Sequence, residues 1–307
     1  MPKSTAPAGR HAFAALLLAN LFLAFGPWMV RIADVGPVAS AFWRLSLAIP
    51  LLLLFARWQS PAAFRPGWSV GVTVVLGGLF FAADLAAWHE GIVRTKMANA
   101  TLFGNSSTIL FAAYGFIAAR VLPRPAQAAA VVLAVIGAVL LLGSSYELSP
   151  KNFVGDLFAI LAGFFYALYL IAIDRARKVM APMPVLALST IAGAAPLLLF
   201  ALFLGERVVP DDWTPVILLS LGSQVIGQGF LVYSMGHLSP VVVGVGLLSQ
   251  PAVAAAIGWF AYGERLSLAD AAGALLICLA LLLIRLPDRR LATGEAKPHV
   301  EPNRSVP

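Results

Sequence analysis

Long apolar runs separated by short turns constrain this chain more than any other feature. Residues 70–83, VGVTVVLGGLFFAA, are one such run. A helix that crosses a bilayer needs about 20 apolar residues, and in lipid only helices and closed barrels satisfy every backbone polar group. Only 11% of the 307 residues are charged, against about 25% in soluble domains. The sequence therefore predicts an all-α integral membrane protein.

Ten segments have the length and apolarity of membrane spans, and turn-forming prolines and glycines separate most of them. The predicted spans are 11–33, 37–57, 68–91, 97–120, 125–143, 153–174, 183–204, 213–236, 240–262 and 267–286. The first is not read as a signal peptide, because no small-residue cleavage site follows it.

The distribution of Lys and Arg predicts the orientation of these spans. Fourteen of the 21 Lys and Arg residues fall on the side of the membrane that holds both termini, and positive residues are enriched on the cytoplasmic side. We therefore expect a multi-pass protein of the bacterial inner membrane with both termini cytoplasmic. Residues 1–10 form the predicted N-terminal tail, and residues 287–307 form a polar, disordered C-terminal tail.

The two halves of the chain resemble each other. RLSLAIPLLLLFA (44–56) aligns with TIAGAAPLLLFAL (190–202), and residues 91–121 align with 236–266, at offsets of 146 and 145. These offsets divide the chain into two five-helix repeats, 11–143 and 153–286. Because five is odd, the second repeat must cross the membrane upside down, as in transporters with inverted repeats and a site near the midplane.

Short motifs in the second half are similar to those of EamA-type permeases of the drug/metabolite transporter superfamily. SPVVVGVGLLSQPAVAAAIGWFAYGERL (239–266) has a proline near the helix start, a mid-helix proline and then Gly-Glu. The resemblance covers about residues 10–286. It implies a secondary carrier, and members of the family export amino acids, aromatic ones among them, or other small metabolites. The first half departs from the pattern, with Ser106 at the mid-helix proline and Ala119-Arg120 at Gly-Glu.

The stretch DLAAWHEGI (84–92) places polar side chains in a predicted span. A helical zinc site needs a second His four residues after the first, and none follows His89. Trp88 and His89 are predicted to face the substrate cavity, as the family resemblance implies. Asp84 lies deeper and needs a cationic partner, for which Arg44 and Lys96 are candidates. For Glu90 we expect a solvated helix end.

Other polar and aromatic side chains extend the predicted substrate-binding set. Ser220, Gln224 and Gln228 are spaced four apart in the eighth span, which predicts a polar row on one helix face. Hydrogen bonding between helices is the alternative role for such residues. The rest of the set comprises Asn99, Asn105, Tyr166, Tyr169, Tyr233 and Gln250.

Helix-breaking and terminal motifs complete the pattern. Pro27 and Pro251 are predicted to interrupt their spans and free the carbonyls of Leu23 and Leu247. Gly-Glu-Arg occurs at two predicted outer span ends, 205–207 and 263–265, where we expect interfacial snorkelling.

These patterns favour alternating-access export of a small amphipathic metabolite, such as an amino acid. No cofactor, metal or nucleic-acid partner is expected. The alternatives are a nucleotide-sugar or phosphate-type exchanger, which needs midplane cations, and an intramembrane enzyme, which needs a catalytic cluster at one depth. Proton coupling through Asp84 or His89, the direction of transport and the oligomeric state stay open.

Overall fold

The structure is a computed structural model of the chain. It describes residues 6–59, 67–107, 149–177, 179–235 and 249–283, with Leu110 and scattered positions between 125 and 140. Within these ranges the chain forms helices and turns and contains no strand, so the predicted all-α class is confirmed.

Eleven α-helices and one π-helical segment account for the described elements. They are α1 (Ala6–Ile32), α2 (Pro37–Ser46), α3 (Ile49–Gln59), α4 (Trp68–Ile92), α5 (Met97–Gly104), α6 (Pro150–Arg177), α7 (Pro182–Phe203), α8 (Thr214–Leu219), the π segment (Ser220–Gly227), α9 (Gln228–Met235), α10 (Ser249–Tyr262) and α11 (Leu268–Leu283).

Six spans in the described part of the chain are long and apolar enough to cross a membrane. They are His11–Ile32, Pro37–Gln59, Trp68–Ile92, Pro150–Ile173, Pro182–Phe203 and Thr214–Ser234. The predicted spans 97–120, 125–143 and 240–262 lie partly outside the described residues, as do most of the two predicted tails. The count of ten and the inverted repeat therefore stay predictions.

Two predicted spans are irregular. The span that begins at Pro37 breaks into α2 and α3 at Leu47 and Ala48, because Pro50 has no N–H to donate to the Ser46 carbonyl. The span that begins at Thr214 contains the π segment, in which the Gln228 N–H donates five residues back. A π turn is wider than an α turn, so residues four apart are not placed as they are in an α-helix.

Exposed and buried side chains are distributed as in a membrane protein, with apolar side chains on the outside and charged ones buried between helices. Leu199 and Phe203 on α7 are 68% and 82% exposed, whereas Arg44 and His89 are buried. Trp58 and Trp68 are exposed at the ends of α3 and α4, where an aromatic belt meets the membrane surface. Exposed apolar side chains on helices of this length are suited to contact with lipid.

Glycines bring α4 and α7 into backbone contact. A Cβ on Gly193 would lie 2.8 Å from the Gly78 carbonyl oxygen, and one on Gly78 would lie 2.6 Å from the Cβ of Ala192. Small residues of this kind allow membrane helices to approach closely. This crossing lies beside the main apolar core, which includes Leu45 and Phe81.

The glutamates of the two Gly-Glu-Arg motifs do not extend to the interface as snorkelling would require, whereas Arg207 and Arg265 are exposed. Gly205 and Gly263 end their helices with φ of 67° and 63°, a conformation that favours glycine, and the glutamates that follow turn inward. Glu206 accepts hydrogen bonds from the N–H groups of Val38 and Ala39, at 3.3 and 2.8 Å. Each Gly-Glu motif thus brings a carboxylate to the start of a helix in the first half.

Glu264 holds the equivalent position at α5, where it accepts the Met97 N–H at 3.0 Å. A carboxylate at a helix N-terminus satisfies backbone donors and complements the helix dipole. Beside α2, Asp34 accepts the N–H of Asp211 at 2.7 Å, and this hydrogen bond lowers the pKa of the Asp34 carboxyl. These contacts join the turns on one side of the membrane.

Candidate substrate cavity

A cavity lies between helices of the two halves of the chain. Its empty space, counted together with the part that is open to the surroundings, is about 600 Å³. Its described lining residues are Leu23, Arg44, Phe81, Asp84, Leu85, Trp88, Thr101, Gly104, Asn105, Tyr166, Gln228, Leu231 and Gln250. The wall combines apolar and aromatic side chains with polar and charged groups, which small-molecule sites use to orient a ligand.

The cavity brings together six of the predicted substrate-binding residues. They are Asp84, Trp88, Asn105, Tyr166, Gln228 and Gln250. They come from five different parts of the chain, so no single helix forms the site.

The charged wall residues lie at similar depth. Arg44 is seven residues from the start of α2 and Asp84 eight residues from the end of α4, or roughly 10–12 Å at 1.5 Å per residue. Both helix ends lie on the same side, because the Arg31 side chain at the end of α1 donates to the carbonyl of Ile92 at the end of α4. The two charged side chains therefore lie well within their spans, away from the helix ends.

Arg44 is held between the cavity and the buried interior. Its side chain is 2% exposed, and its Nε donates to Oε1 of Gln224 at 3.3 Å. Gln224 in turn donates from Nε2 to Oγ1 of Thr190 at 3.2 Å. The guanidinium carbon lies 5.8 Å from the centroid of the Trp88 ring, within the range of a cation–π contact.

Aromatic rings form another part of the wall. Tyr166 lines the cavity, as does Gln228. Tyr169 stacks behind it, with ring centroids 5.6 Å from Tyr166 and 4.6 Å from Phe81. Tyr169 is buried in the apolar core and does not line the cavity, so of this pair only Tyr166 reaches it.

Unlike Trp88, His89 is not one of the residues that line the cavity, although the centroids of the two rings are 5.7 Å apart. His89 is fully buried, and its Nδ1 lies 2.8 Å from Ser40 Oγ and 3.1 Å from the Pro37 carbonyl oxygen. These contacts tie α4 to the start of α2, away from the cavity lining. Among the described residues, no three His, Cys, Asp or Glu side chains are grouped as a metal site would require.

Four further residues of the predicted set lie outside the lining. Asn99 is buried and donates to Asp156 at 3.4 Å, and Gln224 is fully buried behind Arg44. Ser220 is also buried, so the row of three polar groups does not face the cavity together, and only Gln228 does. Tyr233 is 39% exposed on the outside of α9.

The two helix-breaking prolines have different outcomes. Pro27 lies within α1, which continues through it, and Leu23, whose carbonyl it frees, lines the cavity. Pro251 lies near the start of α10, but Leu247 is outside the described residues.

Glu90 is 9% exposed and pairs with Arg94, so the prediction of a solvated helix end is wrong for it.

Sequence reasoning missed two polar residues at or near the cavity. Thr101 lines it from α5, and Asn20 of α1 accepts a hydrogen bond from Gln250 Nε2 at 3.0 Å. Asn20 is 3% exposed inside an apolar span, and a polar residue within a span is itself a signal of function. That signal could have identified Asn20.

A second group of charges joins the halves at the helix ends. Arg31 Nη1 lies 2.5 Å from Glu264 Oε1, and Lys96 Nζ lies 2.5 Å from Asp270 Oδ2. Arg31, Lys96 and Glu264 line a surface pocket of about 930 Å³. Lys96 is thus paired with Asp270 and does not serve as the partner of Asp84.

Comparison with known proteins shows where this architecture occurs. The chain is 24% identical over 264 residues to an uncharacterized transporter of Archaeoglobus fulgidus, covering 83% of this chain and 89% of that one. It is 29% identical over 128 residues to a WAT1-related chloroplastic protein of Arabidopsis thaliana, covering 41% of this chain and 30% of that one.

A crystal structure described only as that of a protein has the same fold, with a TM-score of 0.61 and 22% identity over 92% of this chain and 98% of that chain. The sequence profile of the EamA-like transporter family, part of the drug/metabolite transporter superfamily, matches residues 11–143 and 153–286. The family and the transporter relative indicate a transporter rather than an enzyme. This multi-pass membrane protein belongs to the EamA-like transporter family.

Proposed function

We propose that the protein is a secondary carrier that exports a small amphipathic metabolite, an amino acid or a related compound. The observation that carries this proposal is the cavity lined by both family-matched segments, with Trp88 and Asp84 from the first and Tyr166 and Gln228 from the second. A substrate held there contacts both halves. Rocking of one half against the other would then open the cavity to each side in turn, as in alternating access.

The cavity wall suits an amphipathic substrate. Phe81, Leu85 and Trp88 supply apolar and aromatic surface, while Arg44 and Asp84 supply charge. Aromatic side chains offer a large contact area at low entropic cost. A compound with an apolar part and a charged part matches both.

Uptake into liposomes that contain the purified full chain tests this function. We expect at least one of the twenty proteinogenic amino acids to accumulate faster than in protein-free liposomes. The same assay with an imposed pH gradient separates proton-coupled from facilitated transport. Absence of amino-acid uptake, together with exchange of phosphate or a nucleotide sugar, would contradict the proposal.

A phosphate-type exchanger is the competing function, and Arg44 in the cavity wall is the observation in its favour. Phosphate sites commonly present arginine as a planar, bidentate donor. Among the described lining residues, however, Arg44 is the one cation, and Asp84 in the same wall offsets its charge. A phosphate dianion would bring two negative charges to a wall in which the charges of Arg44 and Asp84 already cancel.

We also propose that both termini lie in the cytoplasm of a bacterial cell. In a variant whose Cys278 is replaced by Ser, single cysteines at Ser4 and Thr293 should react only with a reagent that reaches the cytoplasm. A cysteine at Lys151 should react only from the opposite side. Labelling of all three positions from one side would contradict the inverted topology.

A further inference from the structure

The cavity wall holds a buried guanidinium with a donor to spare. Arg44 is 2% exposed. One of its nitrogens is committed to Gln224, but its Nη1 has no hydrogen-bond partner among the described residues. A guanidinium carries five N–H donors, and leaving a buried charged donor unsatisfied is costly. The spare donor marks a place for an acceptor.

A carboxylate of opposite charge shares the same wall. Asp84 is 8% exposed and lies one helical turn before Trp88 on α4. Asp84 and Arg44 line the same cavity, yet the two form no ion pair in the described part of the chain. The cavity therefore presents one positive and one negative group that are near each other and not in contact.

The position of the guanidinium is fixed from behind. Gln224 accepts from Arg44 and donates to Thr190, and both residues are fully buried. This chain of hydrogen bonds holds the Arg44 side chain in one orientation. The N–H groups on Nη1 are then available to bind another acceptor. Gln224 is thus a positioning residue for Arg44.

We propose that Arg44 and Asp84 form a split ion pair that binds a zwitterion, an α-amino acid whose carboxylate accepts from Arg44 and whose ammonium donates to Asp84. The apolar side chain of that amino acid lies against Trp88 and Tyr166. This inference rests on the proposed function and specifies the substrate class of the same cavity. Guanidinium and carboxylate match in geometry and charge, and the substrate would satisfy both buried groups at once.

Net charge decides between substrate classes. A zwitterion brings no net charge into a wall where Arg44 and Asp84 already balance. A monoanion leaves Asp84 without a cation, and a simple amine leaves Arg44 without an anion. Because a buried charge without a partner is unfavourable, each of these should bind more weakly than the zwitterion.

Competition against the amino acid carried fastest in the liposome assay tests the split ion pair. The unlabelled competitors are its amide, its decarboxylated amine and its deaminated acid; for leucine these are leucinamide, 3-methylbutylamine and 4-methylpentanoate. We expect each to compete about tenfold or more weakly than the amino acid itself, as loss of one charged hydrogen bond predicts.

Variants assign the two ends of the substrate. Arg44→Gln should abolish discrimination against leucinamide and the amine, whereas Asp84→Asn should abolish discrimination against the deaminated acid. Arg57→Gln, at an exposed position near the end of α3, is the matched control and should behave as the wild type. Arg44→Lys keeps the charge and should retain part of the discrimination.

Folding is checked separately, by the thermal unfolding temperature of each variant in detergent and its increase with added amino acid. Should Arg44→Gln fail to fold, Arg44→Lys and the wild-type competition series still decide the matter. If the amide and the deaminated acid inhibit uptake as strongly as the unlabelled amino acid does, the split ion pair is wrong but the proposed function stands. Absence of uptake of any amino acid overturns the proposed function and this inference together.

Discussion

The Lys96 Nζ lies 2.5 Å from Oδ2 of Asp270, 174 residues further along the chain. Both side chains are buried. The same Asp270 oxygen accepts the Ser267 N–H at 2.9 Å, and Ser267 Oγ accepts the Asp270 N–H at 3.1 Å. This reciprocal capping at the start of α11 fixes the position of the Asp270 carboxylate, to which Lys96 of the first half donates.

Lys96→Met is expected to lower stability strongly. Removal of one partner from a buried pair typically costs about 3–5 kcal/mol, since a buried charge loses its counter-ion. Thermal unfolding in detergent measures the effect, and Lys151→Met, at an exposed position on α6, is the control. The double variant Lys96→Met/Asp270→Asn should recover part of the loss. Equal unfolding temperatures for Lys96→Met and Lys151→Met would contradict the role of this pair.

Glu206→Ala is expected to destabilise the protein by about 1–2 kcal/mol, the range for loss of a helix N-terminal cap. The carboxylate accepts N–H groups at the start of α2, from Val38 and Ala39, and alanine leaves them without it. Glu206→Gln keeps an oxygen acceptor and should cost less. If Glu206 were only an interfacial anchor, the two variants would unfold at the same temperature as the wild type.

Gln224 and Gln228 should respond differently to replacement by leucine. Gln228 lines the cavity, so Gln228→Leu should reduce transport severalfold and leave the unfolding temperature nearly unchanged. Gln224 satisfies Arg44 and Thr190, so Gln224→Leu should also lower stability by about 1–3 kcal/mol. Uptake normalised to folded protein, with unfolding measured in parallel, distinguishes them. Identical behaviour of the two variants would show that the wall is assigned wrongly.

Trp88→Ala is expected to alter substrate preference. The indole lines the cavity, so its loss should weaken transport of bulky apolar amino acids more than that of small ones. Leucine and alanine uptake, each relative to folded protein, give the ratio. A uniform loss for both substrates would instead indicate a general structural role.

His89→Ala is the neighbouring comparison. His89 contacts Ser40 and the Pro37 carbonyl rather than the cavity, so its loss should lower stability and leave the ratio of leucine to alanine uptake unchanged. The unfolding temperature and the uptake ratio test both parts of this prediction. A changed ratio at unchanged stability would return His89 to the substrate site.

The sequence predicted the membrane helices well because a spanning helix satisfies its own backbone hydrogen bonds. The span predicted at 68–91 is α4, Trp68–Ile92, and that predicted at 183–204 is α7, Pro182–Phe203. In each case the length of the apolar run alone fixes the helix. The break at Leu47 could also have been anticipated, since Pro50 lies inside its span.

The orientation of individual polar side chains was harder to predict. Trp88 and His89 are adjacent in sequence, yet only Trp88 reaches the cavity. In the eighth span the π segment changes the residues per turn, so the regular spacing of Gln224 and Gln228 did not place both on the wall. A four-residue spacing places side chains on one face of a helix only when the helix is a regular α-helix.

The sequence by itself determined which segments enter the membrane and which polar residues they carry, because both depend on local composition. Tertiary structure alone decided that Glu206 caps α2, that Lys96 meets Asp270, and that Arg44 and Asp84 share one cavity. Each of these relationships joins residues on different helices. Which helices become neighbours depends on packing across the whole chain, such as the contact of Gly78 with Gly193, and no local pattern contains that information.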